Sequence, residues 1–302
     1  MGIRIKSTGT SSAGDTFSSI DHSGRAAREC MERAELRPSQ IGVLINVGVF
    51  RDSNTVEPAM SALIQKAAGI GLDYAYGDPR TFSFDLMNGA VGVLNAVQVA
   101  QSILETGSAG HVLIVSGDTH PSLSRSAADD EFPYATSGAA LLLEPSGGTE
   151  TFGRVHTRTG EGDPLIESYV DVSTMGRAGR TMMTVERTPG FEDRLLTVAE
   201  QAAQAALAEG SAIDPATTVL IASTPTAGFP RRLADRLGIT EVRTPDLSDG
   251  DPHTSALPLA YDRAIRDESL DGFSEVLFVA AGAGPTAAAV RYRLPAPVGA
   301  IA

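Results

Sequence analysis

Asp85-Leu86-Met87-Asn88-Gly89-Ala90 and Asp246-Leu247-Ser248-Asp249-Gly250-Asp251 share one frame, Asp-Leu-x-x-Gly-x, in the two halves of the chain. Reading outward from each copy, the same succession of segments recurs. A helical pattern follows, through Ala96, Val99 and Ala100 in the first copy and Leu259 and Ala260 in the second. Then comes an apolar run, His111–Val115 against Glu275–Val279. Upstream, Ile41-Gly42-Val43-Leu44-Ile45-Asn46 parallels Thr217-Thr218-Val219-Leu220-Ile221-Ala222. Each of these follows a helix-like stretch (24–35 and 191–209) and a break holding Pro38 or Pro215. Between these runs and the Asp-Leu frames, short helices close on Ala68-Gly69-Ile70 and Leu237-Gly238-Ile239. Matches in one order across two halves define an internal duplication.

The repeated unit is a strand-and-helix alternation, so the fold class is α/β, a duplicated αβαβα layered fold. The strand candidates are 42–49, 81–86, 111–116, 138–143, 152–158, 218–222, 275–280 and 287–294. Most are continuously apolar, as strands covered on both faces must be. The halves 1–150 and 151–302 are expected to pack as one unit about a pseudo-twofold axis. Two central helices, 88–106 and 253–267, lie between the sheets in this reading. The mixed Gly, Met, Arg and Thr of 160–190 interrupt the pattern and read as an inserted loop or cap.

The 302 residues are 42% hydrophobic and carry a net charge of −13, which argues against nucleic acid as a partner. Residues 1–8 hold no apolar signal core, and no window reaches the roughly 20 apolar residues of a membrane span. The expectation is a cytoplasmic protein that does not engage a membrane. A single cysteine, Cys30, rules out an internal disulfide or a multi-cysteine metal centre. In the helical run 24–31 it reads as a small buried residue.

Phe84-Asp85-Leu86-Met87-Asn88-Gly89-Ala90-Val91-Gly92-Val93, Pro230–Gly238, Thr254–Ala260 and Gly282-Ala283-Gly284-Pro285-Thr286 together resemble ketoacyl-ACP synthase III, of the thiolase superfamily. The resemblance spans roughly residues 40–145 and 190–294. It implies the thiolase-like duplicated fold, an acyl thioester substrate, acyl carrier protein as a partner, no cofactor and no metal. It also implies a dimer, homomeric or with a related ketosynthase, pairing through the strand Thr81–Leu86. The family's nucleophilic cysteine falls on Ala90, its histidine on Ser223 or Thr224, and its asparagine on Asp251. A cysteine at a helix N-terminus is activated by the dipole, whereas alanine cannot form a thioester. There is little room before the first helix for the segment that holds coenzyme A in the family, and no tryptophan to stack on its adenine. That favours a carrier-bound thioester.

His253, two residues beyond Asp251, is a surrogate acid or base in this reading, with a loop or capping histidine as the alternative. Asp251 itself suits general-base work. Asn88, Gly282 and Gly284 are candidate substrate-binding positions, the glycines as a backbone-donor loop. Arg231, Arg232 and Arg236 are a candidate docking face for an acidic carrier protein, or a solvated helix face. His120 is a weaker candidate, and His22, His111 and His156 read as structural. Two functions follow. The first is a ketosynthase III-like acyltransferase or condensing enzyme of specialised, polyketide or fatty-acyl-derived metabolism. The second is a catalytically silent partner of an active ketosynthase.

Overall fold

In the computed structural model, the residues described are 2–12, 14–52, 59–71, 80–120, 134–169, 173, 183–210, 213–282 and 284–295. One sheet holds β1 (Gly2–Ser11), β2 (Val43–Asn46), β3 (Phe82–Asp85), β4 (Val112–Asp118) and β5 (Ser137–Ser146). Their spatial order is β3-β2-β4-β5-β1. The other holds β6 (Thr151–Phe152), β7 (His156–Thr159), β10 (Thr218–Ala222), β11 (Glu241–Arg243), β12 (Glu275–Gly282) and β13 (Thr286–Arg293). Its order is β11-β10-β12-β13-β6, with β7 also on β13. Between them in sequence, β8 (Ile166–Tyr169) and β9 (Thr184–Arg187) form a small antiparallel hairpin inside the expected insert.

The two sheets repeat one plan. β2 runs parallel to both β3 and β4, and β10 parallel to both β11 and β12. β5 and β13 then pair antiparallel with β4 and β12. Residues 41–46 and 217–222, matched in sequence, therefore occupy corresponding places. The helices repeat as well: α1 (Ser19–Arg33), α2 (Met60–Ala68) and α3 (Gly92–Glu105) correspond to α4 (Phe191–Leu207), α5 (Phe229–Leu237) and α6 (Ala256–Arg266). α2 and α5 even stop alike. Gly69 and Gly238 take left-handed φ values of 73° and 70°. Ile70 and Ile239 then donate back to Gln65 and Ala234, each at 3.0 Å.

Alternation along the strands builds the layers. Val43, Ile45, Val112, Ile114, Val219, Ile221, Val276 and Phe278 turn to a central core shared with α3 and α6. Leu44, Leu113 and Val115 turn outward to α1 and α2. Leu220, Leu277 and Val279 turn outward to α4 and α5. The order is thus helices, sheet, central helices, sheet, helices, the αβαβα arrangement read from the sequence. Each fully buried Leu, Ile or Val contributes about 1.5–3 kcal/mol, which explains why these runs carry no polar face. A buried carboxylate ties the layers: Asp262 on α6 accepts from Thr8 Oγ1 (2.7 Å) and Arg33 Nη1 (2.6 Å).

Three boundaries differ from expectation. The central helices begin later than 88 and 253, because Gly89 at φ 52° and His253 at φ 51° leave the right-handed region. A 3₁₀ turn, His253–Ser255, precedes α6. The candidate strand 152–158 is two short pieces, β6 and β7.

Candidate active site

The Asp-Leu frame works as a corner. Asp85 ends β3 and accepts from Asn46 Nδ2 (2.9 Å), Met60 N (3.0 Å) and Ser61 N (2.8 Å), so it caps α2. The chain then turns through Gly89 and delivers Ala90, buried, two residues ahead of α3. Gly282, at the end of β12, lies against this corner. A Cβ there would stand 3.4 Å from Val91 Cγ2 and 3.8 Å from Ala90 N.

Ser223 and Thr224 follow β10 beside the same strand end. Ser223 Oγ accepts from Ala281 N at 2.7 Å, joining the ends of β10 and β12. That bond ties the two strand ends, and no histidine is bonded to the hydroxyl among the described residues. Thr224 Oγ1 donates to Asp251 Oδ1 at 2.9 Å and is likewise a support. Asp251 Oδ1 also accepts from His253 N (2.8 Å), while its carbonyl accepts from Ala135 N (2.8 Å). Thus Ala90, Gly282, Ser223, Thr224 and Asp251 are linked by successive contacts at one end of the sheets.

The strongest polar feature there is one that sequence patterns did not single out. Asp118, the last residue of β4, is fully buried. Its Oδ1 accepts from Val49 N (2.8 Å) and Phe50 N (2.7 Å). Its Oδ2 accepts from Thr254 N (3.1 Å), from the Thr254 hydroxyl and from His253 Nδ1 (3.3 Å). The His253 ring packs against both Phe50 and Tyr134, each at 5.1 Å, and those two rings are 4.7 Å apart, so the three form a cluster. Burial alone would depress the histidine, but the Asp118 charge and hydrogen bond outweigh it and hold His253 above 6.5. Burial likewise opposes ionisation of Asp118, yet His253, Thr254 and the Phe50 N–H hold it below 3.8. Asp251 goes the other way: burial exceeds the help of His253 and its hydrogen bonds, and its carboxyl sits above 3.8.

Other expected site residues lie apart from this centre. Asn88 Nδ2 donates to Asn95 Oδ1 at 2.8 Å on the exposed side of α3, so it braces the helix entry instead of facing the corner. Gly284 lies in the β12–β13 turn, with a built Cβ near only Thr286 Oγ1 at 3.7 Å. Arg232 and Arg236 pair with Glu192, Asp193 and Glu200 of α4, and Arg231 donates to the Thr240 carbonyl. Their charge is answered within the protein, as on a solvated helix face. Cys30 lies on the buried face of α1 beside Ser7, and burial pushes its thiol up to about 12. The three described cavities, about 180, 310 and 270 Å³, are lined by none of Ala90, Ser223, Asp251 or His253.

This duplicated layered fold is that of the thiolase superfamily. Solved structures across the whole chain agree: the priming β-ketosynthase of a polyketide biosynthetic pathway is 19% identical with a TM-score of 0.80, covering 98% of this chain and 97% of that one. A variant of Xanthomonas campestris OleA is 16% identical with a TM-score of 0.79, covering 97% of each. No family model matches the chain. Its sequence relatives include β-ketoacyl-acyl-carrier-protein synthase III of Rhizorhabdus wittichii, 29% identical over 92% of this chain and 85% of that protein. The synthase III of Streptomyces lividans is 27% identical over 90% and 79%. The chain is thus similar in sequence to ketoacyl-ACP synthase III proteins over 90–92% of its length, and its fold is thiolase-like. No helix among its described residues is long and apolar enough to cross a membrane.

Proposed function

We propose that the protein is an acyltransferase that passes an acyl group from a carrier-bound thioester directly to a hydroxyl or amine, without an acyl-enzyme. The observation that carries this is the Asp118–His253 pair beside Asp251, at the corner where the family's chemistry is expected. With Nδ1 turned to Asp118, the other ring nitrogen of His253 is the base. His253 takes the acceptor's proton as its oxygen or nitrogen attacks the thioester carbonyl. The C–S bond then breaks, and the same nitrogen returns the proton to the leaving thiolate. Asp118 fixes the ring and stabilises the imidazolium, and Ala90 takes no covalent part. Halves 1–150 and 151–302 would act as one unit, and the setting is specialised metabolism.

The test uses the full chain, acyl thioesters on a carrier protein, and a panel of alcohols and amines. Intact mass should show no acylated protein while product accumulates, and His253→Ala should lower the rate about 10²–10⁴-fold. Equal thioester cleavage by wild type and His253→Ala overturns the proposal. The second reading, a silent partner of an active ketosynthase, draws on Ala90, which cannot form a thioester. It predicts no turnover alone and a stable complex with such a ketosynthase by sedimentation.

A further inference from the structure

The insert between the halves brings a charge to this centre. Alternation along β9 turns Val185 and Arg187 inward and leaves Thr184 and Glu186 exposed. Leu165, wholly buried against α4, anchors the base of the hairpin, and Thr188 N donates to its carbonyl at 2.9 Å. Gly190, at φ 72°, then starts α4 and places Phe191. So held, the Arg187 guanidinium carbon lies 5.3 Å from the centre of the Tyr134 ring and 5.9 Å from that of Phe191. Tyr134 meets the His253 ring edge-on at 5.1 Å and forms a β-bridge with Asp251.

We infer that Arg187 is a positioning residue for His253: its cation holds the Tyr134 wall against the imidazole and sets the charge balance of the pair. This rests on the proposed role of His253 as base. A cation over an aromatic face is attracted to it, so Arg187 fixes the ring that borders His253. The same cation acts on the titrating groups. Among those on His253, burial and Arg187 oppose protonation, while Asp118 from β4 and Asp251 from its own loop favour it. Tyr134, neutral and buried, faces it from the segment before β5. Arg187 also favours ionised Asp251. A base must be neutral to accept a proton. A neighbouring cation that restrains imidazolium formation therefore widens the pH range in which His253 works.

The experiment compares wild type, Arg187→Gln and Arg187→Lys as full chains, following histidine ring signals by NMR across pH. His253→Gln assigns the resonance among the five histidines. The expected result is an upward His253 shift of about 0.5 unit or more in Arg187→Gln, with return toward wild type in Arg187→Lys. The acid limb of the acyl-transfer profile should move by the same amount. Unchanged titration in Arg187→Gln overturns the inference. So do equal shifts in both variants, which would reflect lost packing instead of lost charge. Because the NMR readout needs no turnover, a protein without acyltransferase activity but with the expected shift refutes the function and leaves the placement of Arg187 standing.

Discussion

Asp118→Asn removes one charge and changes little volume, so it isolates what the buried carboxylate does. The wild-type side chain accepts five hydrogen bonds, two on Oδ1 and three on Oδ2. An asparagine can keep its oxygen toward Val49 N and Phe50 N. Its amide nitrogen then faces the Thr254 N–H and His253 Nδ1–H, donor against donor. Breaking a buried ion pair from one side costs about 3–5 kcal/mol, and that is the expected loss at pH 6. The pH dependence has a definite sign. His253, raised in the folded state, contributes stability in full below 6.5 and loses it as pH rises through its folded value. Asp118, depressed, contributes above 3.8 and loses it as pH falls through its own. The pair is therefore worth most between 3.8 and 6.5, and the Asp118→Asn penalty should shrink as pH rises through the folded His253 value without vanishing, since the backbone donors remain. Urea unfolding of both proteins at pH 6 and at pH 9 measures this. Equal stability at both pH values, with His253 titrating as in wild type, would refute the assignment of Asp118 as its partner.

Ala90→Cys should place a thiol just ahead of α3, and incubation with an acyl thioester should add one acyl group by intact mass; a folded variant that stays unmodified contradicts the reading of this corner as the nucleophile position. Gly9→Ala should cost about 3 kcal/mol or more, because the new Cβ would meet the Ala26 carbonyl oxygen at 2.1 Å, and a thermal melt within two degrees of wild type counts against it. β3 is a sheet edge with Phe82 64% exposed, so a dimer through this edge is expected, and Phe82→Glu should shift sedimentation toward monomer. Cys30 should resist thiol reagents in the native protein and react only on unfolding; rapid labelling at pH 8 would contradict its buried position.

The layered fold is legible in the sequence because burial on both faces of a strand leaves a continuous apolar run, and the duplication writes that run twice. Ile41–Asn46 and Thr217–Ala222 carry it in their residue types alone, as do the Gly-Ile stops of α2 and α5. Helix starts are less legible. Asn88 and His253 carry no mark of the left-handed turns beside or at them, since those are set by the tertiary corner. Asp118 escapes notice for a related reason. Its donors come from Val49, Phe50, His253 and Thr254, remote in sequence and adjacent only once β4 meets the turn before α6. The available signal is a carboxylate closing an apolar strand, in Val115-Ser116-Gly117-Asp118, where an unpaired charge would be costly.

Position 90 and position 253 are best understood together. A thiol at the corner would need a nearby group to hold the substrate oxygen, and the family supplies a histidine and an asparagine for that. Here the corner is methyl-bearing, Thr224 supports a carboxylate, and the histidine enters from the α6 side on a left-handed residue. A non-glycine residue at positive φ costs about 1–3 kcal/mol and persists only where its surroundings hold it. Around His253 the holding groups are Asp118 on one nitrogen, Asp251 on the backbone N–H, and Phe50 and Tyr134 on the ring. Capping alone uses only the hydrogen bond at the chain end and does not call for two aromatic rings against the imidazole. The strain is spent on placing an imidazole, with one nitrogen fixed, beside Asp251 and Asp118. That is the arrangement the proposed direct transfer requires, a positioned base with no covalent intermediate.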